Sequence, residues 1–301
     1  KRIAYNLISA FGSSSLRLAY ALALSDLILA PATPSNTARV GGVIMPITTS
    51  LAKAFGSEPQ NGPRKIGSFL MQSIYQVNTI TSAMFQTSMA GNTLVAALAL
   101  QSFGIGITWG DWAIAAIVPG IIALIIMPYF IYKVYPPEIK DAREAQQMIR
   151  EELKGLGKMS FQEWVMLGVF ILALVLWATS QFTKIDATTV AFLGISILLA
   201  TSVLVWDDVK SEKGAWDTLV WMGTLMGFAG FLSKLGFIKW ATVLVGGYIP
   251  EGSWIIAFVI AVLINTYSHY VFASLTAHIS AMFVAFSAIA ISAGAPPMLT
   301  L

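Results

Sequence analysis

The stretch "LAPATPSNTARVGGVIMPI", residues 29–47, decides how the chain is read. Its centre, "PSNTAR" at 34–39, sets Pro34, Ser35, Asn36, Thr37 and Arg39 between the apolar runs "LRLAYALALSDLILA" at 16–30 and "VGGVIMPITTSLAKAF" at 40–55. A helical arm of about 16 residues extends roughly 24 Å at 1.5 Å per residue. The hydrocarbon core of a bilayer is about 30 Å thick, so a tip between two such arms reaches mid-membrane or beyond. There every backbone N–H and C=O needs a partner, so a non-helical turn survives only inside protein or against a wet cavity. The helix that resumes after the break starts with unpaired N–H groups and a positive dipole end, which suits an anion. Hydroxyls of Ser35 and Thr37 and the Asn36 amide can add donors to a carboxylate, and their oxygens can hold a small cation. The break is therefore expected to be a binding tip.

The whole chain agrees with a membrane setting. Of 301 residues, 56% are hydrophobic and 11% charged, and the mean hydropathy is +0.74. Soluble domains carry about 25% charged residues. There is no Cys, which excludes disulfides and thiolate-bound metals. The net charge of +3 does not point to nucleic acid, because Lys and Arg sit in short loops between apolar spans. The beginning "KRIAYNLISAFG" and the ending "AGAPPMLTL" both read as cuts, so a fragment lacking its first and last spans is expected.

Spans are expected at 112–132, 164–183 and 187–206, each about the length a bilayer requires. Residues 66–103 read as one long interrupted element crossing once, and 218–248 as an interfacial helix leading into a span. Residues 133–163 hold twelve of the 33 charged residues, six of each sign. Its middle, 139–154, is expected to be a solvated helix with mixed-sign pairs such as Arg150 and Lys154 near Glu151. Counting Lys and Arg places this linker inside. The scheme closes only if 13–52 enters from the inside and turns back, and 252–295 enters from the outside and turns back.

Those two hairpins match. An offset of 239 positions aligns Ser35 with Ser274, Thr37 with Thr276 and Ala38 with Ala277. Opposite entry sides make the pair an inverted repeat, a recurring design of secondary transporters with broken helices at mid-membrane. The expected organisation is a first repeat at 1–135, a cytoplasmic amphipathic linker at 136–161 and a second repeat at 162–301, in an all-α polytopic membrane protein.

The stretches "LAPATPSNTARVGGVIMPI", "MFQTSMAGN" (84–92), "AWDTLVWMG" (215–223) and "FASLTAHISAMF" (272–283) resemble the divalent anion–sodium symporter superfamily. They are most similar to its branch of 2-oxoglutarate/malate translocators and related citrate and tartrate carriers. The resemblance implies a carrier of small carboxylates, not an enzyme. It also implies an elevator-like motion, a homodimer, and a bacterial inner membrane or plastid inner envelope. It assigns Ser35, Asn36 and Thr37 to the first tip, and "TSMAGN" (87–92) to an unwound stretch that Gly91 lets open. Asn92 also falls on that stretch, and Ser274 and Thr276 are assigned to the second tip. A coupling sodium ion would rest on Ser35, Asn36 and the Ser88 carbonyl; no other cofactor is implied. Leu275 stands where sodium-coupled relatives place Asn, which speaks against a second sodium site and favours an exchanger. The second unwound helix of the family would lie beyond Leu301.

A dianion at mid-membrane needs compensating charge. Arg39 and His278, equivalent under the 239 offset, are expected as cationic partners in place of sodium. Asp26 is expected as a structural partner for Arg17 or a hydroxyl. His269 and Tyr270 read as packing, and Asn78 and Gln86 as cavity lining or interhelical bonding. Trp109, Trp112, Trp164 and Trp254 read as an interface belt. An intramembrane enzyme is disfavoured because only Asp26, His269 and His278 lie at depth, without metal-ligand spacing. Two tips around one occluded site disfavour a channel. A sulfate-type anion carrier remains a second substrate class.

Overall fold

A computed structural model describes residues 2–236, 240, 243, 254–272 and 274–301. The described residues are mostly helical, with no β-strand among them. In chain order the helices are α1 (Arg2–Phe11), α2 (Ser15–Leu29), α3 (Asn36–Arg39), α4 (Met45–Ala54), α5 (Gly67–Met84), α6 (Ala90–Phe103) and α7 (Trp109–Val134). They continue with α8 (Arg143–Gly155), α9 (Phe161–Ala178), α10 (Ser180–Thr183), α11 (Ala187–Ala200), α12 (Trp206–Ser211) and α13 (Lys213–Lys234). The last are α14 (Trp254–Ser268), α15 (Leu275–Ser292) and α16 (Pro297–Thr300). Short 3₁₀ turns occupy Ala30–Ala32, Gln86–Ser88 and His269–Val271, and a π-helical turn occupies Val40–Ile44.

Among the described residues, five helical segments are long and apolar enough to cross a bilayer: Ser15–Ala32, Trp109–Val134, Phe161–Ala178, Trp254–Val271 and Leu275–Ser292. The span expected at 187–206 is shorter. Helix α11 stops at Ala200, where Val203 and Leu204 turn back to donate to the Leu198 carbonyl and Ser202 takes a φ of 57°. Much of the 218–248 expectation, and the start of the one at 252–295, lies outside the described residues.

The chain forms two compact units. One contains Lys1–Met89 and Trp109–Leu204, the other Ala90–Thr108 and Val205–Leu301. They divide the chain at different points from the expected repeats, because compactness sorts elements by packing and a repeat sorts them by sequence. In the first unit, apolar faces of α1, α2, α4, α5 and α8 meet around Ile8, Leu18, Leu22, Leu51, Phe69 and Ile149. Helix α8 is therefore seated on one face, not solvated all round. Arg150 does not pair with Glu151 as expected; it donates to the Ser9 carbonyl at 3.0 and 3.2 Å, one of the acceptors left open by the end of α1. Local signals set several helix starts. Ser160 and Glu163 form a reciprocal capping box at α9, and Asp186 accepts from the Thr188 N–H at α11.

Helices α5 and α7 approach closely at Gly120. A Cβ there would lie 2.6 Å from Cγ and 2.7 Å from Sδ of the buried Met84. Gly120→Val is expected to overfill this contact by about 1–3 kcal/mol, lowering the melting temperature in detergent. Gly120→Ala should cost less, because a methionine side chain can yield.

Candidate functional site

The first break is built by two prolines and a serine. Pro31 starts the 3₁₀ turn Ala30–Ala32, and Pro34 disfavours helical geometry at the residue before it. Thr33 is accordingly extended, at φ −123° and ψ 94°. Ser35 (φ −125°, ψ 108°) caps the resumed helix, its Oγ accepting from the Ala38 N–H at 3.2 Å. The Asn36 Oδ1 accepts from the Thr37 N–H at 2.9 Å. Ser35 and Thr37 are exposed, Asn36 is partly so, and Arg39 points the other way into the protein. The π-turn follows because Pro46 has no N–H to give to the preceding turn, while Gly41 and Gly42 lower the resistance to widening.

Arg39 is 1% exposed and so is Asp26, on the arm before the break. Its Nε donates to Asp26 Oδ1 at 2.9 Å. Nη1 donates to the Thr33 carbonyl and to the Ser88 carbonyl, each at 3.1 Å. Nη2 donates to Thr81 Oγ1 at 3.3 Å and Ser82 Oγ at 3.1 Å. A guanidinium has five N–H donors, and here each meets a protein acceptor. The other oxygen of Asp26 accepts from the Thr81 hydroxyl and, at 3.5 Å, from Asn78 Nδ2. The network thus ties the arm, the tip, the interrupted region at Ser88 and helix α5 into one electrically neutral cluster. Asp26 pairs with Arg39, not with Arg17, whose Nη1 donates to Ser13 Oγ.

The interruption after α5 lies slightly earlier than expected. Phe85 (φ −131°, ψ 144°) and Met89 (φ −154°, ψ 140°) are the extended residues flanking the 3₁₀ turn, and Gly91 is already inside α6. The opening therefore rests on ordinary extended backbone and not on glycine. Ser88 is buried, its hydroxyl donating to the carbonyls of Ser82 and Phe85 at 2.6 and 2.7 Å. Thr87 Oγ1 donates to the Pro31 carbonyl at 2.5 Å and accepts from Trp109 Nε1 at 3.0 Å. Trp109 stacks between Phe85 and Trp177, with centroids 5.6 and 6.4 Å away. Trp109 is thus a buried buttress of the interruption and not part of an exposed belt; Trp164 is exposed. Gly91 and Asn92 are buried at the start of α6 in the second unit.

The second break matches the first up to the start of the resumed helix, after which the first segment is interrupted by the π-turn Val40–Ile44 and the second runs on as one helix to Ser292. Bounds up to that point stand 239 higher in the second segment: Ser15–Leu29 against Trp254–Ser268, Ala30–Ala32 against His269–Val271, and helix starts at Asn36 and Leu275. Ser274 (φ −137°, ψ 132°) caps α15 as Ser35 caps α3, accepting from the Ala277 N–H at 3.5 Å. Ser274 is exposed and Thr276 partly buried, while His278 is buried. The ring of His278 makes a 2.9 Å hydrogen bond with Ser268 Oγ through Nε2 and sits 5.1 Å from the ring of His269 and 5.0 Å from that of Phe272. Tyr270 is exposed.

The sequence reading missed Thr33, Thr81, Ser82, Thr87 and Ser268 as partners. The run of uncharged polar residues along α5, Gln72, Gln76, Asn78, Thr81 and Ser82, was the available signal. No cluster of three or more metal-ligating side chains occurs among the described residues.

Apolar helices of spanning length among the described residues, with Asp26 and Arg39 buried as a pair, define a multi-pass membrane protein. The chain belongs to the family described as sodium:sulfate symporter transmembrane region, which matches residues 1–301. It is 52% identical over 299 residues to "Putative malate transporter YflS" of Bacillus subtilis, covering 99% of this chain and 63% of that protein. It is 45% identical over 303 residues to dicarboxylate transporter 1, chloroplastic, of Spinacia oleracea, covering 99% of this chain and 53% of the relative. Inner membrane protein YbhI of Escherichia coli is 44% identical over 301 residues, covering 100% and 63%. The chain thus spans between about half and under two thirds of the length of these curated relatives.

Breaking a buried ion pair by removing one partner typically costs about 3–5 kcal/mol, whereas replacing both by apolar groups is far milder. Asp26→Ala is therefore expected to lower the detergent melting temperature more than the double substitution Asp26→Leu with Arg39→Met, measured on the full-length protein.

Proposed function

We propose that the chain is the central part of a secondary carrier that exchanges small di- and tricarboxylates, such as 2-oxoglutarate, malate or citrate, across a membrane. The observation that carries this reading is a capped helix break with polar side chains exposed on one side and a fully satisfied guanidinium fixed on the other. Ser35, Asn36 and Thr37 at the first break, with Ser274 and Thr276 at the second, are the proposed carboxylate-binding groups, and Asn92 joins them. The matched 239-residue offset supports reading the two segments as inverted repeats, each with a re-entrant hairpin. Alternating access then follows by an elevator-like motion of a homodimer in a bacterial inner membrane or plastid inner envelope. Relatives named as dicarboxylate transporters support the substrate class.

Arg39 favours exchange over sodium coupling. Its Nη1 already holds the Thr33 and Ser88 carbonyl oxygens, the kind of ligand a sodium ion would need. A second cation there would meet like charge at close range. Arg39 therefore serves in place of the ion and positions the tip, instead of touching substrate directly. The second reading is sodium-coupled symport of a dicarboxylate or an inorganic anion, which the description of the family favours; its ion would lie on Ser35, Asn36 and Ser88.

The full-length protein in proteoliposomes decides between them. Under the exchange reading, labelled malate or 2-oxoglutarate enters only vesicles preloaded with a carboxylate and does so equally without sodium. Uptake that needs sodium and no internal acid supports the second reading, and transport of sulfate alone overturns the carboxylate assignment. Arg39→Gln is expected to reduce exchange at least about tenfold; unchanged affinity and rate would remove the role given to Arg39.

A further inference from the structure

Arg17 has no task in the break. It lies in the first turn of α2, exposed, and Leu29 at the other end of that helix is roughly 18 Å away at 1.5 Å per residue. Its Nη1 donates to Ser13 Oγ at 3.1 Å, so the Ser13 O–H remains a donor. Helix electrostatics oppose this placement: a guanidinium stands at the positive dipole end of α2, and the first turn holds no acidic residue. A groove of about 430 Å³ lies against it, lined by Ala10, Phe11, Arg17, Tyr20, Ala21 and Leu24.

Helix α7 brings a second cation to the same end. The Tyr20 hydroxyl donates to the Ile125 carbonyl at 2.6 Å, which sets α7 alongside α2. Tyr129 and Lys133 follow Ile125 at successive turns on one face of α7. Lys133 Nζ lies 5.4 Å from the centre of the Tyr129 ring. The chain leaving α7 returns to the start of α2: the Lys140 carbonyl accepts from the Ser15 N–H at 3.0 Å, and the Ala142 N–H donates to the Ser13 carbonyl at 3.2 Å. Arg17 and Lys133 therefore share the end from which the charge-rich segment 133–163 continues, the end that meets water. Neither is in an ion pair among the described residues. Of the carboxylates on the returning chain, Asp141 is held by Arg143, and Glu138 lies in a stretch tied to the Arg64 carbonyl. Further along both helices the surface turns apolar, with Leu24 on α2 and Ile121, Ile122 and Ile125 on α7 exposed.

We propose that this groove binds one anionic phospholipid. Its phosphate rests on the Arg17 guanidinium and the Ser13 hydroxyl, with Lys133 adding positive charge on the same rim. Its acyl chains follow Leu24 and the isoleucines of α7. The charge pattern selects this occupant. Cations at the water end and an apolar track toward the bilayer interior complement an amphipathic anion, and each Lys or Arg at an anionic lipid surface is favourable. A second copy of the chain, docked here by a two-fold axis, would set the same cations against each other. Free phosphate would leave the apolar track uncovered.

The test is native mass spectrometry of the full-length protein, stripped of lipid in detergent and titrated with phosphatidylglycerol or phosphatidylcholine of identical acyl chains. Phosphatidylglycerol is expected to bind at least about tenfold more tightly. Arg17→Gln and Lys133→Gln should each weaken phosphatidylglycerol by about fivefold and leave phosphatidylcholine unchanged, while Arg17→Lys retains most of the preference. Millimolar inorganic phosphate should not displace the lipid. In membranes containing both lipids, a photo-crosslinking side chain at position 24 should gain the mass of phosphatidylglycerol. Equal binding of the two lipids overturns the proposal, as does a preference that survives both substitutions to Gln. Displacement by phosphate, or a crosslink at position 24 to a second copy or to another part of the same chain, overturns it too. The comparison of the two lipids on the wild type needs no variant, so it decides the matter even where a substitution disturbs folding.

Discussion

A single buried ion pair constrains the first helix break. An arginine inside a membrane protein is tolerable only when its charge and its donors are all met. Arg39 meets this requirement with Asp26, two carbonyls and two hydroxyls drawn from four different stretches of chain. Because the donors of a guanidinium lie in one rigid plane, satisfying all of them fixes those stretches relative to each other. The tip cannot then relax into a continuous helix without stranding a charge. What holds the break open is the cost of losing the cluster, and what lets the backbone turn there is the local chemistry of Pro31, Pro34 and Ser35.

The two capped breaks separate scaffold from function. Their backbones follow one plan up to the 3₁₀ turn and the serine that accepts from the N–H three residues on, and part after it at the π-turn Val40–Ile44. Their side chains at the equivalent of Arg39 differ in kind: one permanently charged and neutralised, the other titratable and bonded only to a hydroxyl. Similar backbone geometry thus carries unlike charge at the two breaks. The membrane makes that difference consequential, since charge buried there must always travel with a partner.

Much of this was legible in the residues. The polar tip at 34–39, the span expected at 112–132 and found within Trp109–Val134, and the match at an offset of 239 follow from hydropathy, proline placement and serine capping, all of which act over a few residues, while the interruption near 87–92 was implied by the family resemblance. Other features were not legible. That Asp26 selects Arg39 over the nearer Arg17, that Trp109 is buried, and that Arg150 reaches Ser9 all depend on which distant helix packs alongside. Gly91 misled because glycine suggests an opening, whereas Phe85 and Met89 open the backbone in a conformation any residue adopts.

By itself, then, the amino-acid order determined where helices start, stop and break, and that the chain lives in a bilayer, because capping, proline sterics and apolar transfer are local or additive effects. The tertiary structure alone decided which polar groups are spent on each other and which remain available. Satisfying a buried donor is a matter of angstroms between residues such as Arg39 and Ser88, 49 positions apart in the chain, and no local pattern encodes that distance.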